Sequence, residues 1–223
     1  MRSVIGDILP LALGVAISPM PIIAVILMLL TPRAGPTSSG FLLGWVAGIV
    51  VAPTVVTVIA QAVGLSGTGG GSTASAIVKL VLGGLMLLLA VKQWRSRPSH
   101  GVDPEPPKWL SALDSVTPGK AVGLGFALSA INPKNLLMII GTGTAIGAAK
   151  LPVGQIVVVI AIFTVIAAST VAAPVLVHRL ERARAEEWLT SMKTWLTANN
   201  ATVMMTLFAV IGVVLIGKGI GGL

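Results

Sequence analysis

The sequence predicts an all-α polytopic membrane protein, with six transmembrane helices arranged as two inverted three-helix repeats. Three observations carry that prediction. The 223-residue chain is 55% hydrophobic and only 10% charged, with a mean hydropathy of +0.97, whereas soluble domains average about 25% charged residues. Six apolar stretches reach the roughly 20 residues needed to cover about 30 Å of hydrocarbon. The first and fourth stretches each carry a proline-marked interruption, and the longest polar stretch, residues 95–120, divides the six into three and three.

The first span covers about 8–30 and contains Pro19 and Pro21. Met1-Arg2-Ser3 ahead of it resembles the start of a signal peptide. The apolar run is too long for an h-region of about 7–15 residues and no small-x-small cleavage site follows, so it reads as a mature span. The second span, 40–64, holds Pro53, and the Gly/Ser/Thr-rich segment 65–73 connects it to the third at 74–94. Residues 95–120 are Pro-rich and of mixed charge, which reads as a loop or a short amphipathic piece. The fourth span is 121–147, the fifth 152–177 and the sixth about 201–220. This gives a first repeat at 1–94, a loop at 95–120 and a second repeat at 121–223.

Between the fifth and sixth spans, Trp188, Leu189, Met192, Trp195 and Leu196 recur at helical spacing among charged residues. That pattern over about 180–196 predicts an amphipathic helix lying in the membrane interface with its apolar face down. A solvated helix packed on the 95–120 loop is the alternative. Trp45, Trp94 and Trp109 read as interface anchors, and Gln61 and Lys79 as side chains that reach the boundary by snorkelling.

Lys and Arg counts set the orientation. Arg33, Lys92, Arg95, Arg97, Lys108, Lys120, Arg179, Arg182, Arg184 and Lys193 fall on one side, ten in all, against Arg2, Lys150 and Lys218 on the other. The ten-residue side is cytoplasmic, so both termini are extracytoplasmic and the two halves have opposite topology. Inverted repeats of broken helices are a transporter architecture, with the site near the midplane. Gly40, Gly44 and Gly48, and later Gly143 and Gly147, are spaced for close helix approach. Two readings stay open for them, packing within the chain and a homodimer seam.

The chemistry is bounded by what is missing. There are no cysteines, and His100 and His178 both lie in hydrophilic connections. The seven carboxylates are Asp7 at the edge of the first span and Asp103, Glu105, Asp114, Glu181, Glu186 and Glu187 in connections. Divalent cations need hard anionic oxygen ligands and membrane proton relays use Asp, Glu or His. No metal site, catalytic residue or cofactor is therefore predicted. The +8 net charge follows the membrane topology and does not indicate nucleic acid.

At membrane depth one charge remains, Lys134, inside Asn132-Pro133-Lys134-Asn135. A centred lysine costs roughly 2.5–3.5 kcal/mol on insertion scales and is functional by default. It reads as an anion-binding or coupling group; the alternative is pairing with carbonyls freed by Pro133. Asn132 and Asn135 either donate to an anionic headgroup or satisfy those carbonyls. Pro19, Pro21 and Pro133 break their spans, as helix-gating elements. An echo of Leu13–Pro21 in Leu124–Asn132 matches Ser18 to Ser129, each a candidate ligand or a back-bonding hydroxyl.

The Ser-Pro-Met-Pro of the first span, the Asn-Pro-Lys-Asn of the fourth and the six-helix layout resemble the LysE superfamily of small exporters. More narrowly, residues 106–121, PPKWLSALDSVTPGKA, running into the fourth span, resemble the GAP family of peptidoglycolipid- or sulfolipid-addressing proteins of mycobacteria and their relatives. The resemblance implies an inner-membrane protein that helps to export envelope lipids, beside larger lipid-export transporters. Only Asn132, Pro133, Lys134 and Ser18-Pro19-x-Pro21 carry over to it. The function expected is transport or flipping of a cell-envelope lipid with an anionic headgroup. Outward movement of a negative charge is favoured by about 2.3 kcal/mol per 100 mV across an inside-negative membrane. The alternatives are a LysE-like exporter of a small solute such as an amino acid, and a non-transporting scaffold for lipid-export machinery.

Overall fold

The computed structural model describes residues 1–63, 73–96 and 116–223, with the side chains of 182–184 left aside. The connection at 65–72 and most of that at 95–120, with His100 and Trp109, lie outside the described residues. The described chain forms eight α-helices. They are α1 (Arg2–Ala16), α2 (Pro19–Leu29), α3 (Ala34–Ala62), α4 (Thr73–Arg95), α5 (Pro118–Ala130), α6 (Pro133–Ala148), α7 (Val153–Leu180) and α8 (Arg182–Ile220). Helices α3, α4, α7 and α8 are long and apolar enough to cross a membrane alone. The pairs α1–α2 and α5–α6 are bent by 47° and 62°, and counting each as one span gives six.

Both bends have the same local cause. The residue before a proline is pushed out of the helical region; Ser18 sits at φ −104°, ψ 106° and Asn132 at φ −58°, ψ 124°. The prolines that follow, Pro19 and Pro133, open α2 and α6 at positions where a missing N–H has no consequence. Helices α1 and α5 are about 22 Å and 20 Å long, each shorter than the roughly 30 Å of a hydrocarbon layer. Ser18 is the N-cap of α2 and Asn132 that of α6, so each stands immediately before the proline that opens its helix. Ser129, which the sequence echo matched to Ser18, lies inside α5, three residues before Asn132.

The short halves α2 and α6 are the most enclosed elements. Helix α2 buries Pro21 through Ile26 without interruption, and α6 buries Gly141 through Gly147. A helix apolar on all sides belongs in a core. Around them, the helices pack across the two halves: α3 lies on α5 and α6, α7 lies on α1 and α2, and α4 lies on α8. Leu43, Val58, Leu88, Val165 and Val213 point outward and are exposed, the surface expected of helices solvated by lipid.

Glycines set the closest approach. A Cβ on Gly44 would run into the Val122 carbonyl, and one on Gly125 into the Phe41 carbonyl, so α3 and α5 touch backbone to backbone. Gly143 and Gly147 face Val56 and Ala60 of α3 in the same way. The glycine seams are occupied inside the chain, which answers the choice between internal packing and a dimer seam for these faces.

Three expectations are corrected. Trp45 is fully buried, stacks on Phe41 at 6.3 Å and donates to the Ala167 carbonyl at 3.5 Å; its ring is enclosed by protein and has no surface to offer a membrane interface. Lys79 does not merely snorkel, because it pairs with Asp7 at 3.2 Å. The amphipathic segment runs unbroken into the sixth span as one 39-residue helix, α8. Ala185, Leu189 and Leu196 on its apolar face are buried and belong to the core, while Trp188 and Trp195 are exposed. That face therefore packs on protein along one edge and not on lipid alone.

Candidate functional site at the helix breaks

At the second break, the backbone N–H groups that open α6 are capped from within. Asn132 Oδ1 accepts from the Lys134 N–H at 3.1 Å, the usual work of an N-cap asparagine. Ile131 and Asn132 both donate their N–H to the Ala127 carbonyl, at 2.9 and 3.2 Å. Asn135 reaches back across the break and donates its side-chain amide to the Leu128 carbonyl at 2.8 Å. Asn132 thus satisfies a donor and Asn135 an acceptor that the break would otherwise orphan. Pro133 itself is exposed.

Lys134 stands apart from this closed set. Its side chain is 8% exposed and its Nζ has no hydrogen-bond partner among the described residues. Pairing with carbonyls freed by Pro133, the alternative raised by the sequence, is not what the side chain does. Asn135 Oδ1 and the hydroxyl of Thr142, two turns further along α6, are also buried without a partner. Buried polar groups are nearly always hydrogen-bonded, so three such atoms along one helix, two of them in its first turn, mark the place as unusual. A helix N-terminus adds a partial positive charge of its own.

The first break is closed from the other half of the chain. Thr170 of α7 donates to the Ala16 carbonyl at 2.6 Å, and Ser18 N–H donates to the same oxygen at 2.9 Å. Ser18 is buried and makes no side-chain capping bond. Pro19 and Pro21 are buried with it. Ser129 is fully buried, donates to the Phe126 carbonyl at 3.0 Å and faces Gly48 of α3; this is back-bonding within a packed seam. Helices α1 and α6 pack against each other. The tip of Met138, one turn past Lys134, fills the space at Gly14, one turn before Ser18.

Sequence reasoning missed Thr142 and Thr170. Each is one of a few hydroxyls in an apolar helix, a weak signal, because threonines in such helices usually bond their own carbonyl one turn back, as Thr144 does to Ile140 at 2.8 Å.

Three cavities lie near these elements. An apolar groove of about 660 Å³ runs between α1 and α8, and a second of about 580 Å³ between α3 and α7. A polar one of about 240 Å³ includes Thr31, His178 and Glu186. Lys134 lines none of the three. At the end of the bundle that carries both chain termini, Asp7 pairs with Lys79 of α4 at 3.2 Å and with Lys218 of α8 at 2.8 Å. Lys218 also donates to the Gly6 carbonyl at 2.6 Å. Among the described residues no cluster of acidic residues, histidines and cysteines could hold a metal ion.

The family model described as Sap, sulfolipid-1-addressing protein, matches residues 8–221. The chain belongs to the sulfolipid-1-addressing protein family. No curated protein and no solved structure matches it. The match runs through both helix breaks and all eight helices, so in this sulfolipid-1-addressing family member the unpartnered Lys134 lies within the region the family model describes.

Proposed function

We propose that this protein moves a cell-envelope lipid with an anionic headgroup across the membrane, as a transporter or flippase-like exporter, and that Lys134 is the headgroup ligand. One observation carries the reading: a lysine ammonium buried at the first turn of α6 without a protein partner, in a chain whose carboxylates all lie at span edges or in connections. A buried cation with no counter-charge is costly, and an anion arriving at that point relieves the cost. The family's description names a sulfolipid, and a sulfate is such an anion. Asn135, whose Oδ1 is free, and the N-cap Asn132 orient the turn, while Thr142 extends the polar face.

The six-span, inverted-repeat arrangement belongs to the same proposal, with the halves at 1–94 and 121–223 and both termini extracytoplasmic. It is supported by the matching proline-opened half-helices and by the exchange of partners between halves, α3 on α5–α6 and α7 on α1–α2. Laterally open apolar grooves favour a lipid over a small polar solute, for which a closed polar vestibule is the natural container.

The test is transbilayer movement in liposomes loaded with a labelled anionic lipid in one leaflet. Wild-type protein accelerates movement over protein-free vesicles, and Lys134→Ala returns it to near the protein-free rate. No acceleration by wild type removes the exporter reading; undiminished movement in the variant removes Lys134 as ligand.

A further inference from the structure

We infer that the groove between α1 and α8 is a binding site for the acyl chain of an anionic membrane lipid, with the lysine pair above Asp7 holding its headgroup. The inference rests on the reading that the protein handles anionic lipid, and adds a second site for it, distinct from Lys134.

The groove is built for a chain. On α1, Leu9, Leu13 and Ile17 form a row at successive turns and are exposed along it. On α8 the wall runs from Trp195 to Val214, about 29 Å of helix, which matches the hydrocarbon thickness of roughly 30 Å. Its volume of about 660 Å³ lies inside the range of about 300–1,000 Å³ typical of small-molecule sites. Gly14 makes the floor, where only a missing side chain leaves room for Ile211 and Met138. At membrane depth the medium that meets such a groove is lipid tail.

The ends of the groove are not alike, and the difference selects the lipid. Asp7 lies two residues before Leu9, and Lys218 four after Val214. There two lysines share one carboxylate, at 3.2 and 2.8 Å, with all three side chains only 22–31% exposed. The cluster keeps one positive charge in surplus, close to where a lipid headgroup would rest. Away from that end, Thr202 and Thr206 are exposed residues along the α8 wall, while the rest of the groove is almost wholly apolar.

The experiment uses the full chain in liposomes doped with phosphatidylglycerol carrying a diazirine on its acyl chain, and in parallel with the same probe as phosphatidylcholine. After photolysis, cross-links are mapped by peptide. The expected result is labelling concentrated on Leu9–Ile17 and on 202–214, stronger for the anionic probe. Lys218→Gln lowers that preference by about fivefold, the weight of one lysine at a charged membrane surface, and Lys218→Arg restores it. Val210→Trp, at an exposed position that leaves the core untouched, fills the groove and lowers labelling by both probes. Even labelling of all lipid-facing helices overturns the inference, as does equal labelling by the two probes or labelling that Val210→Trp leaves unchanged. Lys134→Ala leaves the cross-links in place, so loss of lipid movement in that variant and loss of groove labelling in these are separate results.

Discussion

Asn135 ties α6 to α5 across the break between them: its side-chain amide donates to the Leu128 carbonyl, 2.8 Å away and seven residues earlier. A proline had to be placed near this point for the chain to bend, and the asparagine compensates the carbonyl that the bend exposes.

Asn135→Leu keeps the volume and loses the donor. A buried acceptor without its partner costs about 1–3 kcal/mol, so thermal unfolding in detergent should move down by several degrees. Thr170→Val, which strips the Ala16 carbonyl of its bond from α7, should act in the same direction but less, because Ser18 N–H still donates to that oxygen. Equal unfolding temperatures for wild type and Asn135→Leu would show that water or a rearranged backbone replaces the bond.

Lys134→Met separates stability from transport. The ammonium makes no bond to the protein, so replacing it by an apolar chain of similar length removes a desolvation cost. The variant should unfold at the same temperature or higher while moving lipid no faster than empty vesicles. A clear fall in stability would mean that the lysine is held by contacts that support the fold.

The glycines of the α3–α5 seam should be intolerant where others are not. Gly44→Ala and Gly125→Ala both drive a methyl into a facing carbonyl, and overpacking costs typically about 1–3 kcal/mol. Gly84, in α4, has nothing within 4 Å of its Cβ position; Gly84→Ala should be neutral or stabilise by about 0.5–1 kcal/mol. Paired measurements of detergent stability for the three variants check this ordering.

Asp7→Asn tests the ion cluster at the terminal end. The pairs are about a quarter exposed, so each is worth about 0–1 kcal/mol. The variant should lose a little stability at low salt, and the difference from wild type should narrow at 1 M salt, where screening reaches about 3 Å. A loss that does not respond to salt would place the effect in packing.

The sequence made the spans readable because apolar runs of this length have few other solutions, and the helix opening at Pro133 was readable because proline constrains its neighbours so firmly. The register of the two breaks was not. Ser18 and Asn132 hold the same N-cap position while sharing no letter, though only Asn132 makes a side-chain capping bond, and the letters aligned Ser18 with Ser129 instead. Polarity at 178–199 suggested a helix set apart from the last span, yet the segment has no proline and no glycine before Gly212, and nothing stops it. Trp45 was assigned to an interface by its residue type alone. The Lys79–Asp7 pair, 72 residues apart in sequence, required the fold. At the candidate site the lysine was legible from its cost, but its isolation was not, since hydrogen-bond partners are a property of packing.

Helix α8 has a mechanical consequence. Its 39 residues come to about 58 Å of helix, close to twice a hydrocarbon thickness of about 30 Å. One end carries Lys218 and its ion pairs; the other begins at Arg182, beside the end of α7. With no proline or glycine short of Gly212, α8 contributes buried side chains from Ala185 and Leu189 through Leu196 to Ile211 and Leu215, so both of its halves are tied into one core.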